Sequence, residues 1–139
     1  MKVLIFLLIL CGLVVSCIDP IYYDGDSVDC DYCYQELPDS ADLIIDLTIN
    51  DENPLVQISV FSGEANNAPL VSQFDADTST VFVYVPVGSY YSVEAIYQSE
   101  NNTVRVIDGD MLEVKLVTEL CNDDCWYIVG GEYDVKLRE

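Results

Sequence analysis

Four cysteines stand in two close pairs near opposite ends of the chain, Cys30-x2-Cys33 and Cys121-x3-Cys125. Three chemistries suit such a set. The first is a pair of disulfides, which needs an oxidising compartment. The second is a tetrahedral metal site held by all four thiolates, whose ligands are often spaced two to four residues apart. The third is a redox-active dithiol. Asp29, Asp31, Asp123 and Asp124 flank the pairs. Their negative charge raises thiol pKa values and opposes four clustered thiolates. No βαβ pattern surrounds Cys30-Asp31-Tyr32-Cys33, as a thioredoxin-like motif requires. Disulfides are therefore the expected state, and no metal or other cofactor is expected. Four cysteines allow three pairings. Bridges joining Cys30 and Cys33 to Cys121 and Cys125 are favoured, because a loop of about 90 residues gains about 4 kcal/mol from closure. A bridge within Cys30–Cys33 would close a trivial loop.

The 139 residues contain no histidine. That removes the commonest general base, the Ser-His and Cys-His nucleophile systems and most catalytic zinc sites. Twenty-five acidic residues face five basic ones, for a net charge of −20. Nucleic-acid binding is excluded, because neutralising phosphates needs Lys and Arg. With so many carboxylates, pairs arise by chance and none marks a glycosidase-type centre. The chain is expected not to be an enzyme. Asp24, Asp26 and Asp29 could supply oxygen ligands to calcium, but the regular loop signature is missing.

The elements that must position these cysteines read as strands. Leu43, Ile45, Leu47 and Ile49 alternate with mostly polar neighbours, as do Val56, Ile58 and Val60, then Tyr91, Val93, Ala95 and Tyr97. Period two marks a strand with one buried face. Leu70–Phe74 is a weaker strand. Thr80–Val85 is β-branched or aromatic on both faces and is expected to be fully buried. Val104-Arg105-Val106 and Leu112, Val114, Leu116 are expected to form a hairpin across Asp108-Gly109. Trp126–Val129 and Tyr133–Leu137 are expected to form a last hairpin across Gly130-Gly131. Trp126 is expected in the core, and Tyr90-Tyr91 to split between inside and outside. No stretch has a helical period. The fold class expected is an all-β antiparallel sandwich of about 7–8 strands, over 41–139. Residues 17–40, rich in Asp and Tyr, read as an acidic tether.

Two stretches carry resemblances. Lys2, the apolar run Val3–Val15 and then Ser16-Cys17 resemble a bacterial lipoprotein leader, in which Cys17 is acylated and becomes the first mature residue. Cys11 follows the bulky Leu10 and fits poorly. The run falls short of the roughly 20 residues of a spanning helix. The resemblance implies removal of residues 1–16, attachment to a lipid bilayer through Cys17, and a place in the cell envelope. Ile18-Asp19-Pro20 and the acidic stretch after it look like the tethers of Bacteroidota-type outer-membrane lipoproteins. Val83-Tyr84-Val85-Pro86-Val87-Gly88-Ser89-Tyr90-Tyr91-Ser92-Val93-Glu94-Ala95 resembles the P-x-G-x-Y-x-V-x-A strand-turn-strand of transthyretin-like domains. That resemblance implies a transthyretin-like sandwich, with an immunoglobulin-like one as the alternative, and says little of function. The expected role is a non-catalytic binding or scaffold module with an envelope protein or glycan as partner. A fimbrial or adhesin-type structural subunit is the alternative, and a metal-binding protein the lesser one.

Overall fold

A computed structural model describes residues 30–99, 102–118 and 121–138. The leader, Cys17 and the acidic residues 24–29 lie outside the described residues. The described chain is all-β. Its eight strands are β1 (Ser40–Asp46), β2 (Val56–Ser62), β3 (Leu70–Ala76), β4 (Thr80–Pro86), β5 (Ser89–Ser99), β6 (Asn102–Val117), β7 (Cys125–Val129) and β8 (Glu132–Asp134). They form two sheets in a sandwich-like arrangement. One has the order β4-β1-β8 and the other β3-β2-β5-β6-β7.

The alternation read from the sequence fills the space between them. Leu43 and Ile45 of β1, Val85 of β4 and Tyr133 of β8 are buried from one sheet. Val56, Ile58 and Val60 of β2, Val93, Ala95 and Tyr97 of β5, and Leu112 of β6 are buried in the same core cluster. Tyr97 is wholly buried because its hydroxyl is satisfied: it donates to the Val135 carbonyl at 2.7 Å and accepts from the Thr48 N–H at 3.1 Å. Tyr91 is buried and Tyr90 is exposed, as expected. The Tyr91 hydroxyl donates to the Pro86 carbonyl at 2.8 Å, pinning the turn between β4 and β5.

The structure corrects three expectations. Asp108-Gly109 is not a turn. It lies inside the 16-residue β6, where Asp108 pairs with Val93 and Gly109 with Ser92. Glycine lets the Tyr90 side chain lie against the strand there: a Cβ at position 109 would fall 2.2 Å from the Tyr90 hydroxyl oxygen and would push that exposed ring aside. Gly130-Gly131 does not close a hairpin. Strand β7 pairs with β6, and the chain then crosses to the other sheet, where β8 runs parallel to β1. Both glycines take positive φ, +77° and +86°, so the pair supplies the bend of a crossover. The third correction concerns β4. It is an edge strand, with Phe82 64% and Tyr84 69% exposed.

Candidate functional site

The four cysteines form the two long-range bridges favoured by the sequence, Cys30–Cys121 and Cys33–Cys125. They lace the segment before β1 to the start of β7. A single 3-10 turn, Cys30–Tyr32, carries the first cysteine. Just after it, the Tyr34 N–H donates to the Trp126 carbonyl at 2.7 Å and the Trp126 N–H donates to the Tyr34 carbonyl at 2.8 Å. Residues 30–34, read as tether, are thus fixed against β7. Trp126 is half-buried beside the bridge, and its backbone holds this junction. The sulfurs of Cys33, Cys121 and Cys125 lie within 4.8 Å of one another. Two adjacent bridges produce that clustering by themselves.

The bridges have a consequence for the surface. They hold Tyr34 as one wall of a cleft of about 350 Å³. Phe82 also lines it, Ile44 and Ile128 add apolar surface, and Asp42 and Glu132 supply carboxylates. The strand period explains the composition. In β1, Ala41, Leu43 and Ile45 point inward, so Asp42 and Ile44 must point out. Asp42 pairs with Tyr84 and Ile44 with Phe82 across the β1–β4 ladder, and Ile44 pairs with Glu132 of β8. The outward face of the three-stranded sheet is therefore an aromatic and aliphatic strip next to acids. Among the described residues, no basic side chain lines this cleft. Lys136 lies at the other end of the sheet, 3.4 Å from Asp46 and 3.7 Å from Asp134. There the Thr80 hydroxyl, donating to Asp46 at 2.8 Å, and Lys136 hold the Asp46 carboxyl below its ordinary pKa.

The hydrogen-bond phase shows which way the peptide groups of β4 face. The Ile44 N–H donates to the Gly131 carbonyl on the β8 side, at 2.8 Å. Alternate residues of a strand face opposite neighbours, so Ala41, Leu43 and Ile45 bond to β4. Their partners are Val85, Val83 and Val81. Two bonds beyond the ladder keep the same phase: Val87 N–H to Asp39 carbonyl and Leu47 N–H to Ser79 carbonyl. The peptide groups of Thr80, Phe82 and Tyr84 consequently point out of the open edge. Among the described residues, only β1 lies beside β4.

Sequence reasoning found the cysteines and missed this face. One signal was present: no residue of Thr80–Pro86 is charged, in a chain where 22% of residues are. Comparison with protein-family models, with curated proteins and with solved structures finds no match to this chain. Among the described residues, no helix is long and apolar enough to cross a membrane.

Proposed function

We propose that this protein is a lipid-anchored, non-catalytic binding module of the cell envelope, and that its working surface is the outward face of the β4-β1-β8 sheet. The observation that carries the reading is the pair Phe82 and Tyr84, 64% and 69% exposed side by side on one strand. Monomeric proteins seldom leave contiguous aromatic surface in water without a use for it. Aromatic side chains are also the commonest anchors of protein interfaces. The lipoprotein-like leader supports the anchor, which would tether the module through acylated Cys17. The absence of histidine and the scatter of the carboxylates support a binding role over catalysis.

Photo-crosslinking in the native envelope tests the surface. A photoreactive residue at position 82 or 84 should join the protein to one discrete partner. The same residue at Leu55, which is equally exposed but outside the cleft, should not. Equal labelling at all three positions would overturn the assignment of the face. Palmitate incorporation that vanishes in Cys17→Ala, and persists in Cys11→Ala, tests the anchor.

The alternative role as a self-assembling structural subunit is favoured by one feature, the uncharged edge strand. It predicts oligomers that grow with protein concentration, and a sedimentation series reads this directly.

A further inference from the structure

An open sheet edge is usually guarded. Natural proteins place Lys or other charges on it, shorten it, bulge it or cover it. Strand β4 is seven residues long and uncharged, and its register with β1 is unbroken. Thr80, Phe82 and Tyr84 each direct an N–H and a carbonyl outward, and Pro86 directs a carbonyl only. Proline at that position is compatible with an edge, since its missing donor faces away from β1. It also limits the usable frame to Thr80–Tyr84.

From these observations we infer that β4 is an acceptor edge for an extended, basic segment of a partner protein, which adds as a further strand and lays a Lys or Arg side chain over Phe82 toward Asp42 and Glu132. The inference rests on the reading of this face as the binding surface and names its partner class. Strand addition supplies affinity through main-chain hydrogen bonds and specificity through alternate side chains. An added strand would sit roughly 10 Å from β1, two inter-strand spacings away. Its outward side chains would lie beside Phe82 and Tyr84. A long basic side chain crossing the Phe82 ring gains a cation–π contact and is directed toward Asp42 on β1, with Glu132 on β8 one strand further on.

Charge selects the occupant. The cleft offers Asp42 and Glu132 with no basic residue among its described lining, inside a chain of net charge −20. A second copy of this chain would bring the same charge and an edge strand with no Lys or Arg. A basic strand complements both the acids and the hydrogen-bonding edge that no described strand fills.

Amide hydrogen exchange on residues 18–139 tests the inference, with an alternating Val-Lys octapeptide as probe and an alternating Val-Glu octapeptide as control. The saturating basic peptide should slow exchange at the Phe82 and Tyr84 amides at least tenfold. The Val81, Val83 and Val85 amides, already bonded to β1, should be unchanged, and the acidic peptide should have no effect. Tyr84→Pro deletes one outward donor and spares the β1 ladder, whereas Tyr84→Ala deletes only the ring. Binding kept, though weaker, in Tyr84→Ala and abolished in Tyr84→Pro supports strand addition. Protection of the Leu43 amide reports whether the proline variant has folded. The wild-type exchange pattern decides the question without that variant. Equal weakening in both variants, with no amide protection, would overturn strand addition and leave the face as a side-chain platform for a glycan or a folded protein. Equal binding of both peptides would overturn the basic partner. Indiscriminate crosslinking in the preceding experiment would remove the binding surface itself.

Discussion

Removing either disulfide alone should cost less than half of removing both. The reason lies in how the bridges share their loops. Cys30–Cys121 spans 91 residues of sequence and Cys33–Cys125 spans 92. Taken alone, each constrains the unfolded chain by about 4.6 kcal/mol in the loop-entropy model. Once one is closed, the other closes only the short path through Cys30-x2-Cys33 and Cys121-x3-Cys125, a loop of about eight residues worth about 2.5 kcal/mol. Both together should contribute about 7 kcal/mol. The variants are Cys30→Ala with Cys121→Ala, Cys33→Ala with Cys125→Ala, and all four to alanine. Urea unfolding should show losses of about 2.5 kcal/mol for the first pair and, with the void left at Cys125 included, about 8 kcal/mol for the fourfold variant. The second pair should lose about 1 kcal/mol more than the first, because Cys125 is fully buried and leaves a small void. The fourfold variant therefore loses more than the two pairs summed. A fourfold loss equal to or below that sum would refute the shared-loop reasoning. Destabilisation by chelator, with no effect of reductant, would replace the bridges with a thiolate metal site.

Other perturbations read the remaining contacts. The Glu94 side chain is almost fully buried and is paired with the guanidinium of Arg105, whose Nε lies 3.0 Å from the carboxylate. Arg105→Met should cost about 2 kcal/mol by stranding that charge, and a loss under about 0.5 kcal/mol would class the pair with ordinary surface salt bridges. Gly130→Ala would set a Cβ 2.1 Å from the Met111 carbonyl oxygen at a φ of +77°, and should cost about 3 kcal/mol in thermal or urea unfolding. Burial raises the pKa of Tyr97 and of Tyr133. Their neutral forms favour the fold, so these two groups should leave the melting temperature unchanged below pH 10 and lower it above, as the unfolded chain ionises first. Tyr97→Phe and Tyr133→Phe should each weaken that alkaline fall. Asp46 has a lowered pKa, so its contribution is present above its ordinary 3.8 and lost as pH drops further. Asp46→Asn should make the acid limb of the same curve shallower.

Much of the fold was legible because strand period and burial agree. β2 and the inner face of β5 follow their alternation into the core, and the cysteine spacing pointed to the correct halves of each bridge. The misreadings share a cause: local signals were read where a non-local contact decides. Asp-Gly is good turn chemistry, yet the ring of Tyr90 lies over Gly109, and β5 has eleven residues to pair. The glycine answers a neighbouring strand. Gly130-Gly131 likewise looked like a hairpin turn. The parallel pairing of β8 with β1 joins residues about 90 apart in sequence, and no local pattern announces it.

Strand β4 is the instructive case, because its sequence was read correctly and its position was not. Val81, Phe82, Val83, Tyr84 and Val85 are apolar on both faces. Burying both faces requires a layer on each side, which helices supply in parallel sheets. A two-layer sandwich has no second cover, so a strand of this kind must leave one face in water. At the centre of a sheet it would expose side chains only. At an edge, as here, it exposes side chains and a row of peptide groups together, a liability for aggregation unless something occupies it. Two features outside the strand oppose self-pairing: the net charge of −20 and the acids Asp42 and Glu132 beside Phe82. High charge on the surroundings with none on the edge itself repels like copies while leaving the edge open to an oppositely charged strand. If that balance holds, lowering it should be visible. Asp42→Lys with Glu132→Lys should let the protein associate with itself at concentrations where the parent remains monomeric, and Tyr84→Pro in that background should reverse the association by removing an outward donor. Sedimentation velocity reads both steps. Self-association that survives Tyr84→Pro would place the contact elsewhere and take away the argument for β4.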